Sequence, residues 1–161
     1  MEDLETTAVQ DDLSGRYLTF YIEDVIYSIP LNHVIEIISV QHITHIPNVP
    51  HYIKGIVNLR GKVVPISDVR LKFGQPERPY DDKTCIVVVL INDMNIGLIV
   101  DRVAEVVTLD KIDMAPPPLS SRRMGDSYLD SISTLNEKVI LNIDCVKFFQ
   151  ADLAELMPQD S

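Results

Sequence analysis

From Tyr17 onward, apolar and polar residues alternate in short stretches. Leu18, Phe20 and Ile22 occupy every second position, the period of a half-buried strand. Glu23-Asp24 turns the chain, Val25 to Ile29 returns, and Pro30 and Asn32 interrupt it before a third strand, Val34-Ile35-Glu36-Ile37-Ile38. His42 to Tyr52 carries Pro47 and Pro50 and reads as an irregular connector. Tyr52 to Phe73 then supplies two strands, with Ile56 and Val57 in one and Val63, Val64 and Ile66 in the other. Leu59-Arg60-Gly61-Lys62 is the tight connection between them. Gly61 provides the positive φ that a short hairpin loop needs, which holds Arg60 at the tip. Asp68 follows as a cap for a helical turn from Val69 to Phe73.

The pattern then repeats. Tyr128 to Phe149 superposes on Tyr52 to Phe73 without a gap, 76 residues further on. Tyr52/Tyr128, Ile56/Ile132, Leu59/Leu135, Lys62/Lys138, Val63/Val139, Asp68/Asp144 and Phe73/Phe149 are identical. Upstream, the spacing is 69 residues, with Asp24/Asp93, Val34/Val103, Glu36/Glu105, Ile43/Ile112 and Pro47/Pro116. The difference places a seven-residue insertion in the loop PPPLSSRRMGDS. These matches predict an internal duplication. The polar, proline-bearing stretch Gly74 to Thr84 separates the copies, and Cys85 to Ile91 opens the second as an unbroken apolar run. Such a run suits a strand covered on both faces. Ile96 to Val100 and Val103 to Leu109 add two more strands. Val146, Phe149, Leu153 and Leu156 fall at helical spacing up to Pro158, which predicts an amphipathic C-terminal helix packed on the body.

The fold expected is therefore all-β for the most part: two five-stranded β-barrel lobes, at about 17–73 and 85–149, with short helices. A single ten-stranded sandwich fits the repeat less well. Residues 1–15 read as an acidic disordered tail, 16–150 as the folded body and 151–161 as a helix end and tail.

Charge changes the picture only once it is located. The net charge is −10, yet eight of the 24 acids lie near the two ends, leaving sixteen against fourteen bases in the body. No basic stripe exists, which argues against nucleic acid as a partner. The start MEDLETTAVQDD lacks a basic region and an apolar core, so no secretory signal is expected. No run of about 18 apolar residues is present to span a membrane. Cys85 and Cys145 lie in apolar surroundings without a paired framework, which suits a reducing cytoplasm.

Two copies in one chain act as an internal control. Residues kept in both are those the barrel needs; residues that differ carry what each lobe does separately. Arg60-Gly61 becomes Asn136-Glu137, and Lys54-Gly55 becomes Asp130-Ser131. A hairpin tip bearing arginine in the first lobe alone is either solvated or displayed for a carboxylate or a partner surface. Glu36 is either an outward-facing strand residue, opposite Ile35 and Ile37, or the partner of Arg60. Catalytic signals are poor. His42, His45 and His51 cluster in the connector without completing a ligand set. Asp68, Asp101 and Asp144 follow apolar strands, as caps or turn residues would. No motif for a nucleophile, a metal or a phosphate occurs, so no cofactor, metal site or catalysis is expected.

YIKGIVNLRGKVVPISDVRLKF, with IGLIVDRVAEVVTL and the opening YLTFYIEDVIYSIPLNHVIEII, is similar to the signature of the CheW-like coupling proteins of bacterial chemotaxis. The resemblance runs from about Tyr17 to Phe149; Ser131 departs from it, standing where many members have glycine. It implies two SH3-like barrels with a third apolar core between them and no chemistry. It also implies an adaptor that bridges the cytoplasmic tip of chemoreceptors and the regulatory domain of a CheA-type histidine kinase, in the cytoplasm and recruited to receptor arrays at the membrane. By the same resemblance, Val34, Glu36, Arg60 and Gly61 would lie on the receptor side, and Lys54 and Gly55 on the kinase side. Two rival readings are an adaptor of a different chemosensory array, controlling surface motility, and a small metal-dependent hydrolase using the histidines with Asp68 or Asp101.

Overall fold

The computed structural model describes residues 13–117 and 128–156, with side chains up to 150. Most of the expected acidic tail, most of the insertion loop, and Leu153 and Leu156 of the helical stripe lie outside the described residues or side chains. At the end of that tail, the Gly15 carbonyl accepts a hydrogen bond from the Leu109 amide (2.9 Å).

Eleven strands and two α-helices follow one another among the described residues. The first half gives β1 (Arg16–Ile22), β2 (Val25–Pro30), β3 (Val34–Ser39), β4 (Ile53–Leu59), β5 (Lys62–Asp68) and the single turn α1 (Val69–Lys72). The second gives β6 (Cys85–Ile91), β7 (Met94–Val100), β8 (Arg102–Thr108), β9 (Met114–Ala115), β10 (Leu129–Leu135), β11 (Lys138–Ile143) and α2 (Cys145–Leu156). The short β9 was not anticipated; its counterpart in the first half is an isolated bridge, Thr44 to Ile56.

Hairpin chemistry is local and repeated. The two-residue turns Arg60-Gly61, Asn92-Asp93 and Asn136-Glu137 all have positive φ at both positions, the type I′ geometry that matches strand twist. Gly61 (φ 84°) therefore shares this conformation with Arg60 itself (φ 52°). Both helices start the same way. The Asp68 carboxylate accepts the Leu71 amide (3.3 Å) and the Asp144 carboxylate accepts the Lys147 amide (3.1 Å), 76 residues apart. They end differently, because Gly74 (φ 79°) lets its own amide and that of Gln75 reach back to the Leu71 and Arg70 carbonyls. That closes α1 after one turn.

The sheets correct the expected lobes. One sheet runs β8-β1-β2-β11-β10-β9 and the other β3-β6-β7-β5-β4, so neither is built from one half of the chain. The β1-β2 hairpin joins second-half strands through a parallel seam with β11, and the β6-β7 hairpin joins first-half strands through a parallel seam with β5. Replacing every strand by its copy in the other half turns the order β3-β6-β7-β5-β4 into β8-β1-β2-β11-β10. The duplication thus survives as two SH3-like lobes in pseudo-twofold relation, but segments 17–73 and 85–149 trade one hairpin each.

Burial follows from the exchange. The largest apolar cluster lies between the sheets: Leu18, Phe20 and Ile22 meet Val87, Val89 and Leu98, sealed by Phe148 and Phe149. β6 is covered on both faces, as its apolar run predicts, since Ile86 and Val88 point the other way into a second cluster with Val57, Val64, Ile66 and Ile99. That second cluster fills the first lobe. At the equivalent inward positions of the second lobe stand Ser28, Ser133 and Asn142, all buried.

A candidate docking groove on the first lobe

The first lobe opens into a groove of about 710 Å³ on the outer edge of its sheet. Ile35, Leu59, Val63 and Leu90 line it, with Glu36 and Arg60 among the polar groups. A β-bulge on β3 creates its floor. Val34 pairs with Val89 but Glu36 pairs with Val88, so two residues of β3 oppose one step of β6. Ile35 and Ile37 are exposed (47% and 43%), and the bulge changes the face of the strand: Val34 before it packs on the core between the sheets, while Glu36 and Ile38 after it are half buried on the first-lobe side. This overturns the reading of Glu36 as the outward residue of its strand. Val63 (62% exposed) and Leu90 (44%) complete an apolar rim that a water-facing surface gains nothing by displaying.

At the rim, Arg60 Nη2 donates to Glu36 Oε1. The Asn58 side-chain oxygen accepts the Gly61 amide (2.9 Å) and fixes the turn that carries the arginine. The Arg60 side chain remains 69% exposed and that of Glu36 26%. The pair therefore orients a guanidinium beside apolar side chains while leaving most of its donors open to solvent, a geometry suited to a carboxylate arriving with an apolar surface.

Not every expected site residue gathers here. Gly61 sits at the tip of the same turn. Val34 is half buried and packs against the core between the sheets. Gly55 is buried, and a Cβ on it would lie 2.0 Å from the Thr44 carbonyl oxygen. It offers no docking surface; glycine is needed for close backbone approach. Lys54 donates to Glu77 (2.5 Å) and ties β4 to the connector between the halves. Ile35, Val63 and Leu90 were missed because each stands in an apolar run (Val34-Ile35, Val63-Val64, Cys85 to Ile91) that reads as core. Only the exposure produced by the bulge and by the position just past a hairpin turn reveals them.

The aspartates considered for chemistry have structural duties. The Asp68 carboxyl, 2% exposed, also accepts from the Tyr80 hydroxyl (2.9 Å). Burial holds it above the usual carboxylate range against those hydrogen bonds, and burial together with the Asp68 contact pushes the Tyr80 hydroxyl upward. Asp101 accepts from the guanidinium of Arg70 (2.6 Å), itself 4% exposed and also bonded to Glu23. Burial, together with Asp144 beside it, pushes the Cys145 thiol up to about 12. His42, His45 and His51 are exposed. Among the described residues, no three histidine, cysteine or acidic side chains come together to hold a metal ion, and no helix is long and apolar enough to cross a membrane.

Paired SH3-like lobes around a shared core, with an open apolar groove as the main surface feature, define a β-barrel protein of the scaffold and adaptor kind. The chain belongs to the CheW-like family, whose model, described as a CheW-like domain, matches residues 16–153. The chemotaxis protein CheW of Klebsiella aerogenes is 32% identical over 142 residues, covering 88% of this chain and 86% of that protein. The CheW of Treponema pallidum is 28% identical over 148 residues, covering 89% and 86%. The crystal structure of the scaffolding protein TtCheW from Thermoanaerobacter tengcongensis superposes with a TM-score of 0.74 at 30% identity, covering 84% of this chain and 87% of that one.

Proposed function

We propose that this chain is a non-catalytic adaptor that couples chemoreceptors to a CheA-type histidine kinase in the cytoplasm, recruited to receptor arrays at the membrane. The observation that carries the reading is the Arg60–Glu36 pair at the rim of an exposed apolar groove, on one lobe of a duplicated body. The groove takes the helical tip of a receptor: apolar side chains of the tip cover Ile35, Val63 and Leu90, and Arg60 reads an acidic group beside them. Glu36 and Gly61 act by aiming Arg60, and Val34 by anchoring the bulged strand from inside.

The kinase, in this reading, meets the apolar outer edges of the lobes, where Val139 (55% exposed) repeats Val63. Lys54 contributes by holding the inter-lobe connector rather than by touching the kinase. Coupling is geometric. The lobes share one core and each carries a hairpin of the other half, so a displacement at the groove biases both lobes together. The test is Arg60→Ala in a reconstituted receptor–kinase assay. The variant is expected to lose receptor binding and kinase stimulation while its thermal midpoint moves little, because an exposed ion pair contributes only about 0–1 kcal/mol. Normal coupling by the folded variant removes Arg60, and with it this groove, from the mechanism.

A further inference from the structure

The two lobes are closed by equivalent parallel seams of opposite chemistry. In the first, Ile66 of β5 lies opposite Gly97 of β7. A Cβ on Gly97 would sit 2.5 Å from the Ile66 Cδ1 and 2.9 Å from the Ile86 Cγ2, so those side chains already fill the space glycine leaves. In the second, Asn142 of β11 lies opposite Ser28 of β2. These are the same two positions, 76 residues after Ile66 and 69 before Gly97. Here the Ser28 hydroxyl donates to the Asn142 oxygen (2.5 Å), and the Asn142 amide nitrogen donates to the Ser131 and Ser133 hydroxyls (2.9 Å each). All four side chains are buried and bonded to one another.

Each hairpin fits only the seam it occupies. If the first half closed on itself, Ser28 would stand beside Ile66, with its Cβ where the Ile66 and Ile86 methyls now pack and its hydroxyl without the Asn142 oxygen. Gly97 would stand beside Asn142, leaving the amide oxygen without its donor and a gap next to it. A buried polar group without a partner costs more than the bond contributes when made, so the wrong pairing is penalised at both seams at once. A single buried polar position can fix register or pairing in this way.

We infer that Ser28–Asn142, set against Gly97–Ile66, is the pairing code that directs each hairpin into the opposite half's lobe and keeps the duplicated chain from closing each half on itself.

The test begins with Ser28→Gly. This change gives both hairpins a glycine at the seam, so either fits beside Ile66, and it leaves Asn142 without a donor in both arrangements. The variant and the parent are refolded from denaturant, and methyl cross-peaks of Ile66 are recorded by NMR. The parent is expected to show Ile66 against Gly97 alone. Ser28→Gly is expected to add a second set of peaks, with Ile66 against residue 28. A companion, Ser28→Gly/Ser131→Gly/Ser133→Val/Asn142→Ile, writes the first seam into the second and is expected to show the same second set with its polar groups removed. The single variant decides the matter if the companion does not fold. One set of peaks, Ile66 against Gly97 only, in every variant that folds overturns the inference.

Discussion

Gly55 and Gly61 lie on one hairpin, in strand β4 and in its turn, and substituting alanine at each separates steric need from conformational preference. At Gly55, φ is +144° and the added Cβ would lie 2.0 Å from the Thr44 carbonyl oxygen and 2.7 Å from its carbon. Backbone must give way there, since no flexible side-chain end is involved. The displaced segment carries two hydrogen bonds, Thr44 amide to Ile56 carbonyl and Ile56 amide to Thr44 carbonyl, both 2.9 Å. Losing these costs about 1 kcal/mol each, and an alanine held in a glycine-only conformation adds roughly 1–3 kcal/mol. The sum, about 3–5 kcal/mol, corresponds to a fall in Tm on the order of 10 °C for a chain of this length. Gly61 differs: φ is +84°, yet nothing lies within 4 Å of its Cβ position. Only the left-handed penalty of about 1–2 kcal/mol applies, a loss of roughly 2–8 °C. Its copy Glu137 already sits at φ 67°. Thermal unfolding followed by circular dichroism compares the two. Equal midpoints for Gly55→Ala and Gly61→Ala would mean that the Thr44 contact is not what excludes a side chain at 55.

Three further outcomes follow from named contacts. Arg70→Ala takes the buried guanidinium from Asp101, which keeps Arg78 at 3.6 Å, and from the half-exposed Glu23, and is expected to cost about 1–3 kcal/mol in urea denaturation, whereas Arg70→Met/Asp101→Leu recovers much of it; equal losses for both variants would contradict the ion-pair assignment. Glu137→Gly relieves a side chain in the left-handed region of a turn where Gly serves the other lobe, and is expected to stabilise by about 1 kcal/mol, a rise of a few degrees in Tm. Asp68→Asn keeps an acceptor oxygen for the Leu71 amide, turns its NH2 toward the Tyr80 hydroxyl, which can rotate to accept from it, and removes a titration. The folded chain holds the Asp68 proton more tightly than the unfolded chain, so that stability is full below the ordinary carboxylate value. It is then lost as pH rises through the raised folded value. The variant's advantage over the parent is therefore expected to grow across that window and then level off; a difference that stays flat between about pH 3 and 7 refutes it.

Much of the fold was legible because strand period and turn chemistry are local. The alternation of Leu18, Phe20 and Ile22, the unbroken run of β6 and the Arg60-Gly61 turn each place an element without reference to distant chain. The caps Asp68 and Asp144 were legible for the same reason, and the repeat made them more secure. The exchange of hairpins was not, because strands β1-β2 and β6-β7 carry one apolar period at a fixed spacing, and that period alone does not tell the two arrangements apart. Nor was the groove fully legible. A bulge adds one residue to a strand without altering its composition, and at β3 it changed the face of the strand and left Glu36 half buried on the first-lobe side. Gly55 shows the same limit: its sequence context reads as a strand glycine that differs between copies, and only the Thr44 backbone above it says why.

The asymmetry between the copies has a common physical source. A duplicated chain begins with two identical units, each able to pair with itself or with the other. Divergence that merely preserved both lobes would leave that ambiguity in place. Here the first lobe has an apolar interior (Val57, Ile66, Ile86) and the surface arginine, while the second has a hydrogen-bonded interior at matching positions (Ser133, Asn142) and Asn136 at the tip. Interior change distinguishes the lobes during folding, and surface change distinguishes them to partners. The first makes the second useful. On the function proposed above, an adaptor that reads one partner through Arg60 needs that residue always on the same side of a single assembled body, and a chain whose halves could each close alone would not hold it there.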